Sequence, residues 1–315
     1  MTDVPDRVPL CAETARQRDD PLAGTAVASR KWLLIEHPGP WAFDAFGGSG
    51  IADAIRASLV DAVRATRTRL LLVRRPGRQV TRGPRAWAVI DDAEGVGATW
   101  GTWEDDDDLL EAAHTLTHPA TATVPPNKTD GPDEPDGLDG PPVLLVCTHG
   151  RHDTCCAVRG RPVAAALAKR WPEATWECSH VGGDRFAANL VIPADGTYYG
   201  NLAADNVVGV VESHLAGFIS AAHLRGICAH PPVVQAAVVA AHEQFGPAGP
   251  RDVVDYAVER VTDSSWRVRL TGAGKLPATL TTLVTRELRP RALLTCRAAG
   301  GAAAAQWQTS PFETG

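Results

Sequence analysis

The sequence predicts an α/β chain, α+β overall, with a mixed sheet at its centre. Three observations predict it. Short apolar runs recur along the chain, each bounded by Gly, Pro or Asp, which is the pattern of buried strands. Between them lie segments whose apolar residues fall at helical spacing. After a stretch rich in Pro, Asp and Gly, the order becomes strand, helix, three strands, helix.

In the first section KWLLIE (31–36) reads as a strand and HPGPW as the turn after it. Residues 51–64 place Ile51, Ala54, Ile55, Leu59, Ala62 and Val63 on one helical face. The apolar run 69–73 reads as a buried strand stopped by Pro76 and Gly77. Segments 86–90 and 98–103 read as further strands. The acidic run 104–108 precedes a short helix from about Leu109, where an N-cap and first-turn carboxylates complement the helix dipole.

Residues 124–142 (VPPNKTDGPDEPDGLDGPP) offer almost nothing to bury and read as a linker. Residues 142–146 then form a strand ending at Cys147. Residues 156–169 form a helix in which Pro162 must sit in the first turns or cause a kink. Residues 175–178, 187–192 and 197–201 read as strands, and 207–216 as a helix. This β-α-β-β-β-α order, with cysteines at the end of its first strand, is that of a thioredoxin-like layer. Farther on, 233–244 is helical, 253–261 is amphipathic with either period, 265–270 alternates as a strand should, and 293–297 reads as a strand. The last residues, GGAAAAQWQTSPFETG, read as a loose tail. The expected organisation is an α+β domain over 1–123, the linker 124–142, a thioredoxin-like domain over 143–230 and a small α+β extension over 231–315.

A net charge of −6, spread along the chain, argues against nucleic-acid binding, which needs a basic face. The N-terminus MTDVPDRVPL has neither the basic nor the apolar region of a secretory signal, and no apolar run approaches the ~18 residues that span a bilayer. A cytoplasmic protein without membrane insertion is expected. Seven cysteines in such a chain indicate metal or redox chemistry rather than a disulfide framework. Cys11, Cys228 and Cys296 stand alone in sequence and read as small buried hydrophobes.

The other four cysteines carry the chemistry. CTHGRHDTCC (147–156) and CSHVGGDRF (178–186) place four of the seven cysteines and three of the ten histidines within forty residues. Thiolate and imidazole gathered this tightly suit an iron-sulfur cluster, a zinc site or a dithiol. Cys147 pairs with Cys156, or alternatively with Cys155. It lies at a strand end and they lie at the start of the next helix, whose N–H groups stabilise thiolate charge. Cys178 and His180, two apart, would share a face if the strand continued. Gly182 and Gly183 would let the backbone pass close to a bulky cofactor. No CxxC is present, which weighs against a zinc ribbon and against a thioredoxin-type dithiol. His149 and His152 are supporting donors or loop residues. Arg151 and Arg185 are surface charges, or else neutralise a cofactor or dock an acidic partner.

The blocks CTHGRHDTCC and CSHVGGDRFAANLVIPADGTYYGNL resemble the sucrase/ferredoxin-like family, and DPLAGTAVASRKWLLIEHPGPW resembles the opening of its bacterial members. The resemblance covers at least residues 11–217. It implies a thioredoxin-like fold, a 2Fe-2S cluster and electron transfer with a redox partner protein. In fungal members two cysteines of the first block and two histidines spaced HxxxH hold the cluster. Cys147, Cys156 and His180 match three of these, and the second histidine falls on Asp184. Thiolate is the softer iron ligand, so the expected set is Cys147, Cys156, Cys178 and His180, with Asp184 and Cys155 in reserve.

The leading expectation is a soluble electron carrier. A structural zinc-binding module and a thiol oxidoreductase or redox sensor using Cys155 or Cys156 are the alternatives. Despite the family name, no carboxylate pair makes a case for sugar hydrolysis. No glycine-rich fingerprint supports a dinucleotide site either, since GVGATWG lacks a following helix.

Overall fold

The structure, a computed structural model, describes residues 9–77, 83–91, 98–118 and 142–315. Most of the expected linker, 124–141, lies outside the described residues. The described elements run α1 (Cys11–Gln17), β1 (Lys31–Glu36), α2 (Asp53–Thr66), β2 (Arg69–Arg74), β3 (Arg85–Asp91), β4 (Ala98–Trp103) and α3 (Leu109–Thr117). The series continues with β5 (Leu144–Cys147), α4 (Thr154–Arg170), β6 (Thr175–Cys178), β7 (Leu190–Ile192), β8 (Thr197–Tyr199), α5 (Val207–Leu215), β9 (Leu224–Ile227) and α6 (Pro232–Phe245). Last come β10 (Val253–Arg260), β11 (Ser265–Gly272), β12 (Thr279–Leu288), β13 (Ala305–Thr309) and β14 (Glu313–Thr314). The chain is mixed α/β, as the sequence predicts, and its described residues form two sheets.

The first sheet has nine strands in the order β4-β3-β1-β2-β6-β5-β7-β8-β9. β1 and β2 are parallel, as are β5 and β6; every other neighbouring pair is antiparallel. Within it, β5-α4-β6-β7-β8-α5 follows the expected β-α-β-β-β-α order. β2 meets β6 through Val73 opposite Cys178, so strands from before and after the linker share one sheet. Alternation explains its two covered faces. Trp32 and Leu34 enter one apolar cluster, and Leu33 and Ile35 the other, beneath α2 and α3. Likewise Leu145 and Cys147 face one way, while Leu144 and Val146 pack against α4 and α5. Each such aliphatic side chain contributes about 1.5–3 kcal/mol on full burial.

Several local expectations change. The acidic run forms a turn in which Asp108 accepts the N–H groups of Glu104 and Asp105, as a helix start requires. Pro162 is the ninth residue of α4, not in its first turns. It sits on the exposed side near Val158, where a missing backbone bond costs least. The strand expected at 187–192 begins only at Leu190, because Asp184–Phe186 forms a 3-10 turn and the Ala187 carbonyl accepts from Arg16. Residues 293–297 are not a strand: the N–H of Cys296 donates to the Asp153 carboxylate instead of to a ladder. The expected loose tail is ordered. β13 and β14 both pair with β12, and Trp307 packs against Trp266 and Gly24. This second sheet, β10-β11-β12-β13 with β14 on β12, buries Val268, Leu270, Leu280 and Val284 against α6.

Candidate metal centre

β5 ends at Cys147, and the loop THGRHD returns the chain to α4. Asp153 caps that helix by accepting the N–H of Cys155 at 2.8 Å. The cap orients the first turn, so Cys156 faces Cys147. Gly160, one turn later, lets α4 lie against the end of β5, since a Cβ there would stand 2.1 Å from the Cys147 carbonyl oxygen. On the neighbouring strand, Cys178 is in register with Cys147. β6 stops at Cys178, so His180 lies beyond the strand and the same-face rule no longer places it with Cys178.

The structure brings Cys147, Cys156 and His180 together, with their ligand atoms within 4.8 Å of one another. His180 also belongs to a second such group with His152 and Asp184. The Cys156 thiol donates to Asp184 Oδ1 at 3.3 Å. His180 Nδ1 is buried and lies 3.0 Å from the same oxygen. The two face each other as an ion pair. Cys178 is fully buried in the apolar cluster with Trp32, Trp176 and Tyr198 and joins none of these groups. Cys155 turns away from the centre, toward Cys11 and Cys296.

Charge favours a cation here. The Cys147 thiol is held well below its ordinary range by contact with the Cys156 thiol and with His180, against the effect of burial. Cys156 and Cys178 are pushed up, the first mainly by Cys147 and the second mainly by burial. Burial lowers His180, but Asp184 and Cys147 outweigh it and raise it to about 9. Two soft sulfurs, an imidazole and a carboxylate at the same place form a donor set that fits a soft metal centre.

The surroundings hold the histidines in place. His152 stacks on His180 with ring centroids 3.7 Å apart, and exposed Phe43 stacks on His152 at 4.9 Å. His149 donates from Nε2 to the Ala42 carbonyl at 2.6 Å, which makes it a brace for the 38–46 loop. Gly182 and Gly183 have φ of +88° and +77°, and a Cβ on Gly183 would strike Arg225. The positive φ at both, with Val27 crowding Gly182 and Arg225 crowding Gly183, is enough to require glycine. Arg185 is not a free surface charge, since it lies 3.4 Å from Asp20 and over the Phe186 ring. Arg151 is exposed.

Sequence reasoning missed Arg225. It is buried in β9 and donates to Thr25 Oγ1, the Thr25 carbonyl, the Gly182 carbonyl and Asn189 Oδ1. Burial lowers its pKa to about 10, still charged at neutral pH. A lone arginine inside a strand of LRGI carries no signal of this role; only the fold brings it to the 180–184 loop.

No helix among the described residues is long and apolar enough to cross a membrane. Searches of curated proteins and of solved structures found no match to this chain. The family model described as sucrase/ferredoxin-like matches residues 22–226, which include Cys147, Cys156, His180 and Asp184 and make up more than half of the sequence, and the chain belongs to that family.

Proposed function

We propose that the chain is an electron carrier with one 2Fe-2S cluster, exchanging electrons with a redox partner protein. The observation that carries this is the convergence of the buried Cys147 and Cys156 thiols with the half-buried His180 imidazole just past the ends of β5 and β6. The cluster would supply one-electron chemistry, and imidazole in place of a thiolate would raise its potential relative to an all-cysteine centre. For the fourth ligand the geometry supports Asp184 over Cys178. The Asp184 carboxylate is beside both His180 and Cys156, whereas the Cys178 sulfur joins no ligand group with them. The stack from exposed Phe43 through His152 to His180 supports that side as the docking face.

Anaerobic purification with iron and acid-labile sulfide assays tests the reading. Visible absorbance and an EPR signal on reduction are expected. Asp184→Ala should shift that signal and Cys178→Ala should leave it in place. Protein that is colourless and iron-free under those conditions would sink the proposal, and zinc bound by Cys147 and Cys156 would turn it toward a structural module.

A further inference from the structure

Three cysteines outside the proposed redox centre converge from the two ends and the middle of the chain. Cys11 opens α1, Cys155 lies in the first turn of α4, and Cys296 lies in the loop between β12 and β13. Their sulfurs form a nearly equilateral triangle: 3.5 Å from Cys11 to Cys155, 3.3 Å from Cys155 to Cys296 and 3.5 Å from Cys296 to Cys11. Cys11 and Cys155 are buried and Cys296 is partly covered. The Asp153 carboxylate, fully buried, stands at the same place with both oxygens 3.9 Å from Cys11 Sγ.

We propose that Cys11, Cys155 and Cys296 bind a structural zinc ion as thiolates, with the Asp153 carboxylate as the fourth donor. The triangle's centre is ~2.0 Å from each sulfur. A zinc at the usual Zn–S length of ~2.3 Å would therefore sit ~1.2 Å above the sulfur plane, open to one further ligand. An iron-sulfur cluster needs its sulfurs spread over two or more irons, and this triangle is the size for a single ion. No pair of sulfurs stands out as the partners of a disulfide, whose bond is ~2.05 Å.

The surroundings suit a metal-bound thiolate. The N–H of Ala12 points at Cys155 Sγ and the N–H of Cys11 at Cys296 Sγ, each at 3.4 Å. Asp153 is itself oriented by the N–H groups of Cys155 and Cys296, at 2.8 and 2.6 Å. Such outer bonds fix ligand geometry in metal sites. The N-terminus of α4, with the guanidinium groups of Arg16 and Arg185 near the cysteines, offsets the charge of the four anionic donors. The ion would clasp α1, α4 and the C-terminal loop together. It would also leave the neighbouring Cys156 to the other centre.

Zinc content measured by plasma mass spectrometry, on full-length protein purified with a reductant and without chelator, tests this. One zinc per chain is expected in the wild type and in Cys147→Ser/Cys156→Ser, and none in Cys11→Ser/Cys296→Ser. Should the last variant fail to fold, differential alkylation of the wild type decides. Cys11, Cys155 and Cys296 should be protected until a chelator is added and then react together. Equal alkylation with and without chelator, a disulfide among the three in the intact mass, or iron in place of zinc at these residues would overturn the proposal.

Discussion

Gly160→Ala sets two effects of opposite sign against each other. Helix propensity alone favours alanine inside α4 by about 1 kcal/mol. The structure opposes it, because the new Cβ would stand 2.1 Å from the Cys147 carbonyl oxygen and 3.1 Å from its carbon. That neighbour is backbone and cannot swing aside. Cys147 N–H is bonded to the Asn189 carbonyl at 3.1 Å, and the strand end is in register with Cys178. Restoring ordinary contact requires α4 and β5 to part by about 1 Å, and overpacking of this kind costs about 1–3 kcal/mol. The expected net is a loss of about 0–2 kcal/mol in urea unfolding followed by tryptophan fluorescence. Cys156 lies one turn from Gly160, so the same displacement should carry it away from Cys147 and lower iron incorporation at the proposed centre. A higher urea midpoint with undiminished iron content would refute the close-packing argument.

Two further substitutions test other parts of the molecule. Arg225→Met leaves the oxygens of Thr25, Gly182 and Asn189 without their donor, and each unsatisfied group costs about 1–3 kcal/mol. A loss of at least about 3 kcal/mol in urea unfolding is expected, and a loss under about 1 kcal/mol would contradict the bracing role. His242 is buried in α6 with neither ring nitrogen paired among the described residues, and burial lowers its pKa to about 4, only partly opposed by Asp252. The unfolded chain binds a proton near pH 6.5 and the folded one near 4, so stability should fall as pH drops between those values and level off below. The shift corresponds to about 3 kcal/mol. His242→Leu should flatten that slope in urea midpoints taken across the range, and an unchanged slope would place the acid sensitivity elsewhere.

What the sequence made legible followed local rules. KWLLIE and RLLLV are apolar on both faces, and both became central strands of a sheet covered on both sides. The centre's first half was legible because the strand end at Cys147 and the cap at Asp153 lie within one loop. Strand β12 carried a readable signal, Leu280, Thr282 and Val284 alternating inward, that the threonine-rich run obscured. The C-terminal strands were hidden by composition: AQWQT has one large apolar residue, and its burial depends on Gly24 far away in sequence. Cys11 and Cys296 looked solitary because they meet across 285 positions, a distance no spacing rule addresses. The placement of His180 relative to Cys178 depended on where β6 stops, which the apolar pattern does not mark.

The vicinal pair Cys155-Cys156 takes its sense from the helix that carries it. Successive residues of an α-helix point about 100° apart, so two adjacent thiols at the start of α4 face different neighbours. Cys156 meets Cys147 and Asp184, and Cys155 meets Cys11 and Cys296. The two groups also differ in where their residues lie. Cys147, Cys156 and His180 fall within the 22–226 stretch that matches the family, whereas Cys11 and Cys296 lie outside it at either end. The N-terminal helix and the C-terminal loop thus reach the centre's support from opposite ends of the chain, and both do so through the residue next to a proposed cluster ligand. Loosening Cys296 would reach the proposed redox centre through the first turn of α4, and loosening Cys11 also through Ala187, which packs against it just after the Asp184–Phe186 turn. Asp153, which both caps that turn and holds the Cys296 backbone, is one residue through which the two groups are mechanically joined.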